Sequence, residues 1–116
     1  MFNFNAEIEN ILKGENGLGV PVSFMFYKGK ATTYVTYMQM TKDAALYGDD
    51  EIKGCVVYYD FDIYSKVNYL MVINKLIQLM TAAGWVYTPD RDSPDMYENE
   101  TGFFHKTISL CKESEV

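Results

Sequence analysis

The run Tyr69 to Ala83 constrains this chain more than any other segment, because it is apolar over far more of its circumference than a surface helix needs. Its only formal charge is Lys75. Leu70, Ile73, Ile77 and Met80 recur at helical spacing and form one narrow face. Tyr69, Val72, Leu76, Leu79 and Ala83 lie beside it, and together the two sets cover about half the circumference, wider than the roughly 100° stripe of a one-sided helix. Met71 and Ala82 dilute the polar side further. Asn68 is the expected N-cap. Gly84 is placed for the left-handed C′ position, with Trp85 at C″ folding back on Met80 in a Schellman stop. Such a helix requires cover on two flanks. Leu70, Ile73, Ile77 and Met80 are assigned to the chain's own sheet, whereas Val72, Leu76 and Leu79 face either the rest of the chain or another subunit.

The segments around this helix alternate with period two. Val20, Val22, Phe24 and Phe26 alternate with Pro21, Ser23, Met25 and Tyr27. Lys28-Gly29-Lys30 reads as a turn, and Thr32 to Met40 alternates again, so the two runs predict a hairpin. Pro21 lacks a ladder donor and places that end on an edge. Thr41 to Glu51 reads as a polar, acidic connection. Ile52 to Tyr64 is the longest expected strand, with Cys55, Val57, Tyr59, Phe61 and Ile63 on the core face and Val56, Tyr58, Asp60, Asp62 and Tyr64 on the other. Trp85 to Thr88 is a short strand, Pro89 to Glu100 an Asp-rich loop, and Gly102 to about Leu110 the last strand, with Phe104, Ile108 and Leu110 on one side. The final Glu-Ser-Glu-Val is expected to fray. Before all of these, Asn5 can cap a short helix over Ala6–Lys13 that buries Ile8, Ile11 and Leu12 and exits at Gly14. The order is α-β-β-β-α-β-β in a single domain, residues 1–116. This predicts an α+β fold, an antiparallel or mixed sheet of about five strands with a long helix and a short N-terminal helix packed on it.

Composition narrows the function classes. Ten Tyr and seven Phe among 116 residues suit a β-rich core. The formal net charge is −6, with scattered Lys and Arg, which disfavours a phosphate-backbone partner. The apolar runs are too short and interrupted to span a bilayer. Nothing at the N-terminus resembles a basic region followed by an apolar one, so export by signal peptide is not expected. Without export, Cys55 and Cys111 are expected as buried free thiols rather than a disulfide.

Catalytic chemistry finds little to work with. His105, the only histidine, is expected to be solvated on an outer strand face. Neither a nucleophilic triad nor a zinc-type cysteine pair can be built around it. Asp60 and Asp62 share a strand face and could form a two-carboxylate metal site. Solvated carboxylates are the simpler reading. Asp90, Asp92 and Asp95 share a loop that fails as an EF-hand, because Pro94 stands at the fifth position and no Glu closes it. Gly14, Gly17 and Gly19 lack the strand and the Lys-Ser/Thr of a phosphate loop. No catalytic, cofactor-binding or metal residue is assigned. The residues left as functional candidates are surfaces. Val72, Leu76 and Leu79 on the helix and Val56, Tyr58 and Tyr64 on the outer strand face form a candidate subunit interface.

The run Tyr58-Tyr59-Asp60-Phe61-Asp62-Ile63-Tyr64-Ser65-Lys66, followed by a helix closing in Ala82-Ala83-Gly84-Trp85, resembles the middle of the tail terminator or tail completion proteins of long-tailed phages. Some of these are prophage products described as minor tail or minor capsid components. Lys28-Gly29-Lys30-Ala31-Thr32-Thr33-Tyr34-Val35-Thr36-Tyr37 and Glu100-Thr101-Gly102-Phe103-Phe104-His105-Lys106 are similar as well. The likeness runs from about Val20 to Leu110. It implies an α+β subunit that self-associates in a ring, commonly a hexamer, without cofactor or catalysis. Such a ring caps the head-proximal end of the tail tube and meets the head–tail connector. It belongs to the virion tail and is made in the host cytoplasm. Within that role the acidic residues Asp49, Asp50 and Glu51, and Asp90, Asp92 and Asp95, mark candidate docking loops that order on contact. The alternatives are another head–tail joining protein, a non-viral binding module, and a metal-dependent enzyme at Asp60 and Asp62.

Overall fold

The computed structural model describes residues 4–48 and 51–115; within its strands, the side chains of residues 41–48, 51–53 and 114–115 are not described. Helix α1 spans Asn5–Lys13 and strand β1 spans Val22–Phe24. Strands β2 (Thr33–Gly48) and β3 (Glu51–Ser65) precede helix α2 (Leu70–Ala82). Strands β4 (Val86–Tyr87), β5 (Met96–Glu98) and β6 (Phe103–Glu115) complete the chain, with a 3-10 turn over Pro89–Arg91 after β4. The fold is α+β: one mixed sheet in the order β1-β2-β3-β6-β4, with β5 also on β6, and two helices.

The core follows the alternation of β3. Cys55, Val57, Tyr59, Phe61 and Ile63 are all buried and meet Val35, Tyr37, Ile108 and Leu110 from the flanking strands. α1 adds Ile8 and Leu12, and α2 adds Ile73, Leu76 and Met80. Three core residues are tyrosines, and α1 satisfies the hydroxyls of two, Tyr37 and Tyr59. Tyr37 donates to Glu9 Oε1 at 2.7 Å, and Tyr59 donates to Asn5 Oδ1 at 2.9 Å. Without those acceptors each buried hydroxyl would cost about 1–3 kcal/mol, so the short first helix is held by its polar side chains as well as its apolar ones. Trp85 closes the other end of this core, packing edge-on against Phe4 and Tyr59.

The stop of α2 has the expected form. Gly84 takes φ +96°, its N–H donates to the Thr81 carbonyl, and the Trp85 N–H donates to the Met80 carbonyl. The start is one residue later than expected. Leu70 is the first helical residue, and Asn68 acts through an Asx turn, its Oδ1 accepting from the Leu70 N–H at 2.9 Å. At α1 the N-cap position is Phe4, not Asn5.

Four expectations about the strands need correction. β1 pairs with β2 in parallel, Val22 opposite Val35, so Lys28-Gly29-Lys30 is not a hairpin turn. The chain turns off β1 at Met25 (φ +67°) and returns to its starting end before entering β2. Thr41 to Glu51 is not a connection, because β2 continues to Gly48 and pairs there with Glu51; Asp49 and Asp50 lie outside the described residues. Glu113 to Glu115 are not frayed, since β6 reaches Glu115 and pairs it with Gly54, and Val116 lies outside the described residues. The loop Pro89–Glu100 contains β5, paired with the start of β6, which makes six strands where about five were expected. In the last three cases sequence read as loop or frayed end forms strand, because ladder hydrogen bonds to a neighbour outweigh local propensity.

The sheet is longer than its helical cover. β2 has 16 residues, a span of roughly 50 Å, close to the 53 Å long axis of the molecule. α2, with 13 residues, spans about 20 Å.

Candidate assembly surfaces

The wide apolar arc of α2 is resolved by burial. Leu76 is fully buried, at 0 %, in the core of its own chain, so it is not an interface residue. Ile73 and Met80 sit beside it, while Val72, Ile77 and Leu79 are partly buried against the same core. α1 runs against α2 and supplies the second flank that the arc requires. Leu70 was expected in the core but is 57 % exposed, and Met71 is 84 % exposed. The open apolar surface is therefore the first turn of the helix, not the flank through Leu76 and Leu79.

That first turn adjoins other uncovered groups. Phe104 lies on the helix side of β6 but beyond the end of α2, which leaves it exposed. With Val67, Leu70 and Tyr69 it lines a pocket of about 420 Å³, closed on one side by Asp95. Met96 and Tyr97 of β5 are exposed nearby, with Tyr97 packed on Phe104. Sequence reasoning missed this patch, because periodicity reports which face a residue occupies and not where the covering element stops.

The opposite face of the sheet is less solvated than its polar pattern suggests. Tyr58 is covered by the Arg91 guanidinium, 4.3 Å from the ring centroid. Tyr64 is stacked between Tyr34 and His105. His105 is therefore not a solvated residue, and its Nε2 lies 3.0 Å from Asp62 Oδ1. Asp62 also accepts from the Thr107 hydroxyl. Asp60 is held above the usual carboxylate range by burial and by the neighbouring Asp62, with Arg91 opposing. Among the described residues no three His, Cys, Asp or Glu side chains converge as a metal site. Val56 stays half-buried beside Val86 and Cys111 in a cleft of about 460 Å³. Cys55 and Cys111 are both free. Register places Cys55 on the core side of β3 and Cys111 opposite Tyr58 on the outer side, so the sheet separates them.

The Asp-rich loop is already ordered. Asp92 accepts from the Tyr87 hydroxyl and Asp95 from the Tyr69 hydroxyl, with Lys106 Nζ 3.6 Å from Asp95. The hydrogen bond from Tyr69, aided by Lys106, holds the Asp95 carboxyl below the usual range. Ser93 exchanges hydrogen bonds with Thr107. Asp90, in the 3-10 turn, is exposed. Of the other acidic candidates, Glu51 is the first residue of β3.

The most extensive unpaired surface is a strand edge. β1 covers only Val35, Thr36 and Tyr37 of β2. From Met38 to Gly48, among the described residues, no strand pairs with that edge. The Val35 N–H and the Tyr37 carbonyl both point toward the β1 side, so by alternation the backbone groups of Gln39 point out from the open edge. A scan against family models and a search of curated proteins find no match to this chain.

Proposed function

We propose that this chain is a structural subunit of a long-tailed phage, a tail terminator or tail completion protein that works by self-association and not by catalysis. Copies assemble into a ring, a hexamer being the expected count. The ring caps the head-proximal end of the tail tube, halts its growth and presents a face to the head–tail connector. Its partners are other copies of itself, the tube protein and the connector. It uses no cofactor, no direct nucleic-acid readout and no membrane. It belongs to the virion tail after synthesis in the bacterial host cytoplasm.

One observation carries this reading: the long open edge of β2 beyond the helical layer. A free strand edge offers a row of unpaired donors and acceptors and invites pairing with another chain. Proteins that stay single blunt such an edge, whereas subunits that assemble have a use for it. The resemblance in the Tyr58–Lys66 strand end, the following helix and its Gly84-Trp85 stop adds the particular setting. The test is deletion of the gene from a phage or inducible prophage that carries it, followed by electron microscopy of the lysate. A terminator predicts tails of uncontrolled length without heads. Headless tails of normal length would instead indicate a different head–tail joining protein, and infectious particles with normal tails would overturn the assembly role.

A further inference from the structure

Two exposed apolar features stand near opposite sides of the sheet. The first is a knob that follows β1. Met25 has φ +67°, its N–H donates to the Tyr37 carbonyl at 2.9 Å, and the Phe26 N–H returns to the Phe24 carbonyl at 2.8 Å. This is a γ-turn of positive φ, the rare and strained form of that turn. Strain of this kind in a residue other than glycine clusters at functional sites. The turn carries Phe24, Met25 and Phe26, all exposed, with Phe26 at 62 %. It is held from both ends, because Phe24 packs on Tyr37 with ring centroids 5.7 Å apart and Tyr27 stacks on Tyr34 at 4.5 Å. The Lys28 ammonium lies 5.4 Å from the Phe26 ring centroid and pairs with no carboxylate among the described residues. The acid at the neighbouring ring, Glu9 on the Tyr37 hydroxyl, is already paired with Lys13.

The second feature is the pocket of about 420 Å³ at the start of α2, bounded by Val67, Tyr69, Leu70 and Phe104 and closed on one side by Asp95. A cavity of roughly 150 Å³ already accepts one benzene ring, so this one has room for a phenylalanine with a methionine beside it. One oxygen of Asp95 is committed, since Oδ1 accepts from the Tyr69 hydroxyl and faces Lys106 Nζ at 3.6 Å. Oδ2 has no partner among the described residues, and the side chain is 69 % exposed. Knob and pocket are therefore complementary in apolar character and in charge. One sets aromatic and thioether groups beside a free ammonium, and the other sets an apolar hollow beside a free carboxylate oxygen.

We propose that Phe24, Met25 and Phe26 of one copy enter the pocket bounded by Val67, Leu70 and Phe104 of a second copy, with Lys28 of the first at Asp95 Oδ2 of the second. A copy does not fill its own pocket. β2 and β3 stand between β1 and β6, a separation of roughly 14 Å at the usual strand spacing, and the stack of Tyr27 on Tyr34 holds the turn beside β2. Knob and pocket are different surfaces, so the contact is heterologous. Each copy gives its knob to one neighbour and its pocket to the next, and a ring results when the rotation closes. The knob lies at the edge of the sheet that β2 leaves open from Met38 onward, so the neighbour that receives it stands at that edge as well. This assignment rests on the self-association proposed above and names side chains that carry it.

Full-length variants test it by sedimentation velocity: Phe26→Ser for the knob and Leu70→Lys for the pocket. Both residues are exposed, and melting curves check that each variant folds like the parent. Each alone is expected to associate at least roughly tenfold more weakly than the parent chain. Met25→Gly should weaken association in the same direction while keeping the turn, because glycine accepts a positive φ. The decisive sample is a mixture of Phe26→Ser and Leu70→Lys at a concentration where each alone is monomeric. The intact knob of the pocket variant still fits the intact pocket of the knob variant, whereas the other two surfaces are spoiled, so heterodimers and nothing larger should form. Parent-like association in either variant, a mixture that stays monomeric or builds larger species, or a parent chain that stays monomeric would each overturn the assignment. A parent that forms rings whatever stands at Phe26 and Leu70 removes only this contact and leaves the pocket to a different partner. The terminator reading falls separately, on normal tails after gene deletion.

Discussion

Two parts of the same sheet differ in how their hydrogen bonds and apolar surface are completed. Beneath the helices, the buried tyrosine hydroxyls and the apolar side chains of the core find their partners within the chain. Tyr37 and Tyr59 reach acceptors on α1, Leu76 and Met80 share one buried core with Phe61 and Ile63, and Trp85 closes the end. Beyond the helices, β2 keeps an open edge from Met38 onward, and Phe104, Leu70 and Met71 are left uncovered near the start of α2. The first part is what makes the chain fold. The second is what a partner would complete, and natural proteins seldom leave a long strand edge open without a use for it.

The sharpest contrast lies within α2. Leu76→Ala removes a fully buried side chain and should cost about 2–5 kcal/mol, whereas Leu70→Ala should stay within about 0.5 kcal/mol. Urea unfolding of both variants measures the difference. Equal losses would break the division of the helix into a covered and an open part.

Much of this was legible in the sequence, and the misses have physical causes. The Gly84-Trp85 stop depends on a left-handed glycine and local hydrogen bonds, and local rules place it correctly. The buried set of β3 follows from strict alternation over many residues. The parallel β1 was not legible, because Lys28-Gly29-Lys30 carries the same turn chemistry whether the chain reverses once or twice. Thr41 to Gly48 was not legible either, because Thr41-Lys42-Asp43 and Gly48 break the alternating apolar pattern while its partner on β3 makes it a strand. Leu76 was offered to a neighbour because nothing in its own segment shows that α1 lies on that flank. Lys30 and Lys66 are far apart in sequence and line one cleft only because β2 and β3 align. The surfaces remain proposals for that reason, whereas the fold is read from the ladder itself.

A smaller effect follows from the tyrosines of the ordered part. Burial, together with the charge of Asp62, pushes Tyr64 from 10.0 up to about 12, and burial with the Asp92 hydrogen bond does the same for Tyr87. Tyr37 is raised in the same direction by burial and by Glu9. A group whose pKa is raised on folding stabilises fully below its unfolded value, and that contribution is lost as pH climbs through the folded value. The chain should therefore hold its stability up to about pH 10 and lose it progressively toward pH 12. Absorbance of tyrosinate and circular dichroism, followed together, should change in the same interval. Full ionisation of the tyrosines with the fold intact would contradict the burial described here.

The open edge of β2 is tested most directly by Gln39→Pro. Gln39 is exposed and follows Val35 and Tyr37 in pointing its backbone outward, so proline there removes an edge donor and spares the β2–β3 ladder. Sedimentation velocity and negative-stain images of the parent and variant chains, at matched concentration and with melting curves to confirm the fold, give the answer. Rings or higher oligomers from the parent, and their loss in a variant that melts like the parent, are the predicted result. A folded variant that assembles as well as the parent would show that the open edge is not where the copies join.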